Sequence, residues 1–265
     1  MGSILYGPVP SWRLGRSLGI DLISTPHKVC SFDCVYCQLG GTFHPLMRRR
    51  EFVGVAQLSE ALAALGEVEV DYATFSGMGE PTLASNLGEA IRTVKSVLAV
   101  PVAVLTNSSL MSREDVRQDL GEADLVVAKL DAPDEARFRH INRPRLRTSL
   151  GEIVEAIRLF RASYRGRLAL QMMFIEANRD AAAAMATLAR QIGPDQAQIN
   201  TPLRPCAERP LSPGEILAVR AEFSGMTGVV TVYEATPSAV SPMDAGETER
   251  RRPSALPEGG SRVDV

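Results

Sequence analysis

The chain has 265 residues, with 29 Lys+Arg against 31 Asp+Glu and a formal net charge of −2. That length holds one large α/β domain or two small ones with a real hydrophobic core, and 45% hydrophobic with 23% charged residues excludes a mostly disordered, collagen-like or coiled-coil chain. The near-neutral balance excludes a surface that grips nucleic acid as a whole but leaves room for a local basic site.

Strand-length apolar runs recur, each followed by a helical pattern. Residues 18–24 (LGIDLIS) read as a first strand and 57–66 as a helix ending at Gly66. Residues 71–76 are a second strand and 84–99 a long amphipathic helix. Residues 101–106 form a third strand, followed by a short helix at 112–119 capped by Ser112. Residues 124–130 are a fourth strand, and 149–163 a helix with Ser149 and Glu152 spaced as a capping box. A fifth strand at 168–175, an Ala-rich helix at 179–192 and a sixth strand at 196–201 follow, then a helix at 213–224 and a strand at 228–233. Alternating strands and helices imply βαβ units and a parallel sheet. Six or so such units suit an incomplete (β/α) barrel, with a doubly wound open sheet as the rival. Residues 1–234 make the barrel portion; residues 235–265, rich in Pro, Ser, Gly and charge, read as a mobile polar tail.

Four cysteines are too few for a disulfide scaffold, and three of them crowd into Cys30-Ser-Phe-Asp-Cys34-Val-Tyr-Cys37. No apolar run approaches the ~20 residues of a membrane span, and no charged segment precedes an apolar one at the N-terminus, so the expected compartment is a reducing cytoplasm. Three thiolates on one short loop can converge on a metal centre. On a four-iron cubane they leave one iron open, which marks a catalytic rather than a structural centre. A zinc site completed by His27 or Cys206, in a non-catalytic binding module, is the alternative of another class.

The same loop resembles that of the radical S-adenosylmethionine (SAM) enzymes, C-x3-C-x2-C with an aromatic residue, here Tyr36, before the third cysteine. The resemblance implies a partial (β/α)6 TIM-like barrel. Cys30, Cys34 and Cys37 would hold a [4Fe–4S] cluster, SAM would chelate the fourth iron, and Tyr36 would lie near the adenine. It further implies reductive cleavage of SAM to a 5′-deoxyadenosyl radical that abstracts a substrate hydrogen, with ferredoxin or flavodoxin as electron donor. The flanking text, Tyr6-Gly-Pro-Val-Pro-Ser-Trp-Arg-Leu-Gly-Arg-Ser-Leu-Gly-Ile-Asp with Lys28-Val-Cys and Cys37-Gln-Leu-Gly, is similar to a branch related to the tRNA wyosine-synthesis enzymes over roughly residues 6–205. Those enzymes carry further cysteines upstream of this loop, and this chain has none before Cys30.

Polar or glycine clusters sit at the C-terminal end of strand after strand, the edge that carries ligands in parallel barrels and open sheets. Ser76-Gly-Met-Gly-Glu-Pro-Thr82 follows the second strand; a tight strand-to-helix turn also uses such residues. By resemblance it is the SAM amino-group element, which makes Gly77, Met78, Gly79 and Glu80 SAM-contact candidates. Asn107 and Ser108 after the third strand, and Asn200 after the sixth, are further candidates. Lys129 and Asp131 share one face of the fourth strand and are the candidate catalytic pair, with a rim salt bridge as the plainer reading. Arg204 is a SAM or substrate candidate. Arg48–Arg50 and Arg143, Arg145 and Arg147 would favour a nucleotide or RNA substrate if they flanked the mouth. An activating role toward a protein or peptide partner is the alternative within the same chemistry.

Overall fold

The computed structural model describes residues 3–43, 45–46, 48–145, 147–234 and 238–254. Eight strands form one sheet in chain order: β1 (Leu5–Ser11), β2 (Gly15–Ile20), β3 (Tyr72–Phe75), β4 (Val102–Thr106), β5 (Leu125–Lys129), β6 (Arg167–Met173), β7 (Gln196–Asn200) and β8 (Val229–Thr231). β1 runs antiparallel to β2, and every later pair is parallel. Strand order that follows chain order, with a helix between strands, curls the sheet into a half-barrel rather than a doubly wound sheet, which reverses at a switch point. β1 and β8 are its two edges.

β4 and β5 are apolar on both faces because both are covered, whereas β2, β3, β6 and β7 also bury polar side chains such as Ser17, Thr74, Gln171 and Gln198. Outward residues such as Val102, Val104, Val126, Leu168 and Leu170 join the main core under α1 (Val55–Ala63), α2 (Leu87–Val97), α3 (Glu114–Gly121) and α5 (Leu150–Ser163). Inward residues Ala103, Leu125, Val127 and Ala169 close around Leu14, which the β1–β2 turn inserts into the lumen as a plug. Among the described residues this cluster fills the lower lumen, below the cavity at the C-terminal strand ends.

All seven strands expected from sequence are present, with shifted ends. The capping box of α5 forms as expected: Glu152 N donates to Ser149 Oγ at 3.2 Å and Ser149 N donates to Glu152 Oε2 at 2.7 Å. The cap of α3 does not: the helix starts at Glu114 after Arg113, with no side-chain cap, so Ser112 lies outside it. Three elements escaped the sequence reading. β1 has its apolar pattern broken by two prolines, α4 (Glu135–Ile141) is a two-turn helix soon after β5, and α8 (Ala245–Arg251) lies in the supposed tail.

That last difference corrects the reading of 235–265 as a free tail. α8 packs beside β1, and its last residue, Arg251, is 1% exposed. The Arg251 guanidinium donates to Asp21 Oδ2 at 2.8 Å, to Glu247 Oε2 at 2.6 Å and to the Ser3 carbonyl, and lies over the Tyr6 ring. Residues 255–265 fall outside the described residues. Among the described residues no helix is long and apolar enough to cross a membrane.

Candidate functional site

A cavity of about 590 Å³ opens at the C-terminal strand ends. Cys30, Cys34 and Cys37 form part of its wall, on the loop that leaves β2. Two backbone ladders hold that loop. Val29 N donates to Met78 O at 2.9 Å and Glu80 N donates to Val29 O at 3.1 Å. Asp33 N and Val35 N donate to the carbonyls of Asn142 and Ile141 at the end of α4. The loop is thus clamped between the strand-three glycines and a helix that the sequence reading missed.

Gly79 makes the first clamp possible. A Cβ there would overlap the Val29 carbonyl oxygen, a backbone atom fixed by the same ladder. Gly79→Ala is therefore expected to break both bonds. The cost is about 3 kcal/mol or more, from overpacking plus two lost backbone hydrogen bonds. A lowered urea midpoint together with reduced iron uptake by the Cys loop checks this. Gly77 adopts φ +145, a conformation that side chains rarely take, and its missing Cβ leaves space for the Asp21 carboxylate.

Amide donors and one lysine face the thiols. Asn107 Nδ2 donates to Cys30 Sγ at 3.5 Å and Asn142 Nδ2 to Cys34 Sγ at 3.6 Å. Burial, followed by the charges of Glu80 and Cys34, pushes the Cys30 thiol up to about 12. Burial likewise raises Cys34, with Lys129 opposing it. Lys28 is the counter-charge: burial works against its ammonium, but Cys37 and Cys30 outweigh that and hold its pKa above the ordinary value. Its Nζ donates to Gly40 O at 2.9 Å, which ties the far end of the loop. Burial keeps Cys30 and Cys34 protonated in the metal-free protein, while the neighbouring cation and N–H donors favour the negatively charged sulfur that a metal would require in place of the proton. Lys28 was not among the site candidates from sequence; a lysine two residues before the first cysteine is the signal that was available.

Among the described residues no three His, Cys, Asp or Glu side chains close on one point as a single-ion site requires. A cubane spreads its protein thiolates over different irons. His27 is exposed, and the Cys206 thiol donates to Glu208 O at 3.2 Å away from the cavity wall. Neither side chain completes a tetrahedral set, so the zinc alternative has no geometric support.

Most of the other sequence candidates converge on this cavity. Tyr36, Gly77, Gly79, Glu80, Asn107, Lys129 and Asn200 line it. The Glu80 carboxylate is buried and accepts from Thr106 Oγ1 at 2.7 Å, Thr82 Oγ1 at 2.7 Å and Asn107 N at 2.6 Å. Burial raises its pKa, and these hydrogen bonds oppose the rise. Lys129 Nζ lies 4.4 Å from the Tyr36 ring centroid.

Three candidates lie elsewhere. Met78 is buried outside the cavity wall, its N–H donating to Asp21 Oδ2 at 3.2 Å. Ser108 is fully buried at φ +68 and donates its hydroxyl to Lys129 O at 3.1 Å, so it shapes the β4 exit from behind. Asp131 is 2% exposed and accepts from the Tyr36 hydroxyl, from Asn142 Nδ2 at 2.7 Å and from Met173 N at 2.8 Å. Burial and this carboxylate hold the Tyr36 phenol protonated, with its pKa well above the usual range. Asp131 is therefore a positioning residue that fixes the Tyr36 ring from below, three bonds deep in the wall. His44 lies outside the described residues.

The basic runs do not meet the condition for a substrate role. Arg49 is spent on Asp115, Asp119 and the carbonyls of Thr82 and Ala84, and Arg145 pairs with Asp33. Neither run lines the cavity. The arginines that do are Arg13, Arg204, Arg251 and Arg252, the last two from the supposed tail.

The family model described as the Radical SAM superfamily matches residues 24–189. The UPF0026 protein MJ1312 of Methanocaldococcus jannaschii is 40% identical over 221 residues, 81% of this chain and 68% of its own length. The UPF0026 protein slr1464 of Synechocystis is 40% identical over 202 residues, 76% of each chain. Among solved structures, TYW1 with a lysine-pyruvate adduct shares the fold with a TM-score of 0.60 at 19% identity, covering 80% of this chain and 74% of that one. SuiB of Streptococcus suis bound to S-adenosylmethionine also superposes with a TM-score of 0.60, at 12% identity, covering 80% of this chain and 50% of that one. That family works with a [4Fe–4S] cluster and SAM, and the thiol loop, its counter-charge and the open half-barrel fit both groups. With more than half its length matched by the family model and close sequence relatives along most of the rest, this chain belongs to the radical SAM superfamily of enzymes.

Proposed function

We propose that Cys30, Cys34 and Cys37 hold a [4Fe–4S] cluster and that SAM occupies the space between it and the strand ends. When bound, the two supply reductive cleavage of the sulfonium to methionine and a 5′-deoxyadenosyl radical that abstracts a hydrogen from the substrate. The observation that carries this reading is that all three cysteines line one cavity together with Gly77, Gly79, Glu80 and Asn107.

The chain's own residues orient and enclose. Gly77 and Gly79 present bare backbone to the amino-acid end of SAM. Glu80, locked by its hydrogen bonds, offers negative charge near the SAM ammonium. Tyr36, seated on Asp131, and Asn200 flank the adenine end. Lys129 stands over Tyr36 and supplies positive charge beside the reacting region. The Leu14 plug and the apolar side chains around it exclude water from below, which protects a radical from quenching. A small redox protein such as ferredoxin or flavodoxin delivers the electron.

Anaerobic reconstitution with iron and sulfide tests the reading. The expected result is a brown protein with about four irons per chain that forms 5′-deoxyadenosine when reduced in the presence of SAM. Protein that takes up zinc while refusing iron and sulfide would overturn it.

A further inference from the structure

The reading above leaves the far end of the cavity without a role, and its chemistry is distinctive. Arg13, from the β1–β2 turn, Arg204, from the loop after β7, and Arg252, just past α8, meet there on the open side of the half-barrel between β1 and β8. Among the described residues none of the three forms an ion pair. Arg13 Nε is buried and has no hydrogen-bond partner. Arg204 gives one guanidinium nitrogen to the carbonyls of Arg252 and Pro253, at 3.0 and 3.1 Å. Glu249, whose carboxylate accepts from Ser254 N and Oγ, acts on Arg204 only from beyond ion-pair range.

Three guanidinium groups brought together without a counter-anion repel one another. Arg13 is pushed down to about 9 by burial and then by Arg252 and Arg204, and Arg204 down to about 10 by burial and then Arg252. The fold nevertheless spends three separate chain segments on this convergence. Arg251, next in sequence, shows the contrast: it is neutralised by Asp21 and Glu247. A desolvated, uncompensated cationic cluster at the wall of a ligand cavity is stabilised by an anion, and guanidinium forks suit the oxygens of phosphate and carboxylate.

We infer that Arg13, Arg204 and Arg252 form the subsite for an anionic group of the substrate, a phosphate or a carboxylate. The inference deepens the radical SAM reading and rests on it for the word substrate. The anionic group of SAM itself is a poorer occupant. Its carboxylate must lie at the cluster, where the leading electrostatic neighbours of Cys30 and Cys34 are Glu80, Lys129, Lys28 and Asp131 rather than any of these arginines. The subsite also lies on the side where the barrel is open, so a substrate enters there and extends its reacting carbon toward the cluster. Residues 251–254 close part of that opening, with Gln38 Nε2 donating to Arg251 O at 2.6 Å.

The test uses the full-length, cluster-loaded protein, titrated calorimetrically at low salt with inorganic pyrophosphate and, separately, with succinate. Binding of either anion is expected, and the tighter of the two identifies the substrate's group as phosphate or carboxylate. Arg252→Gln, which removes a side chain with no ion pair to lose, and the double variant Arg13→Gln with Arg204→Gln should each weaken that binding at least about tenfold. Arg158→Gln, on the outer face of α5, should leave it unchanged. Saturating SAM should leave it unchanged as well. The inference is overturned if neither anion binds, if Arg158→Gln weakens binding as much as the cavity variants, or if SAM displaces the anion. Iron content read on the same samples separates this from the parent reading: protein without iron that still binds the anion through these arginines would sink the cluster assignment and leave the subsite standing.

Discussion

Cys34→Ala is expected to reduce 5′-deoxyadenosine formation to background. Loss of a partner that merely supports a metal ligand typically costs 10–100-fold in affinity or activity, so removal of one of only three thiol ligands should exceed about 100-fold. Cys206 packs against the same Tyr36 cluster as Cys34, but its thiol is turned to the Glu208 carbonyl, and among the described residues no three His, Cys, Asp or Glu side chains close on one point. The fold should survive, because the backbone bonds that hold its loop at Val29, Asp33 and Val35 do not depend on the Cys34 side chain. An unchanged melting curve of the metal-free protein, together with lost iron and lost product, is the expected pair of results. Retained product formation would mean that the three cysteines do not hold the working cluster.

Arg251→Met is expected to destabilise the fold by about 3–5 kcal/mol, because it leaves a buried carboxylate without its cation. The side chains of Arg251 and Asp21 are 0% and 1% exposed and lie 2.8 Å apart. Asp21 also accepts from Ile23 N, Ser24 N and Met78 N, so the damage should spread from α8 to the glycine turn that clamps the Cys loop. The same junction makes stability acid-sensitive. Hydrogen bonding from Arg251, then Arg250, holds the Glu247 carboxyl below the ordinary carboxylate value, against the opposing effect of burial. A carboxyl whose folded pKa is depressed contributes stability above its unfolded pKa and loses that contribution as pH falls through the folded value. Docking of α8 should therefore weaken below about pH 4. Arg251→Met should remove that acid-dependent part, which urea melts at pH 7 and pH 4 will show as a smaller difference between the two conditions. A variant that unfolds like the parent at both pH values would show that α8 is not anchored in this way.

The cavity also shows why the sequence pointed to the right loops and sometimes to the wrong residues within them. Tyr36, Glu80, Asn107 and Lys129 line the space, whereas Met78 and Ser108, adjacent to true wall residues, face away. Spacing along a strand indicates alternate faces, but a turn such as Gly77–Gly79 redirects side chains through φ values that no local pattern reveals. Asp131 shares the strand face of Lys129 yet ends as the support for Tyr36 rather than in contact with the cavity, because α4 bends Asn142 back over it.

What the sequence determined alone was the part written in short-range pattern. The alternation of strands and helices, the α5 capping box and the C-x3-C-x2-C loop are all encoded within a few residues, so periodicity, caps and thiol spacing reveal them. The antiparallel pairing of β1 at one edge of the sheet, the Leu14 plug, the buried junction of Arg251 with Asp21 and the meeting of Arg13, Arg204 and Arg252 depended on tertiary structure. Each joins residues tens to hundreds of positions apart. A polar, charged run such as 245–252 carries no local mark of burial, because a buried charge is tolerated only where a distant partner is folded against it.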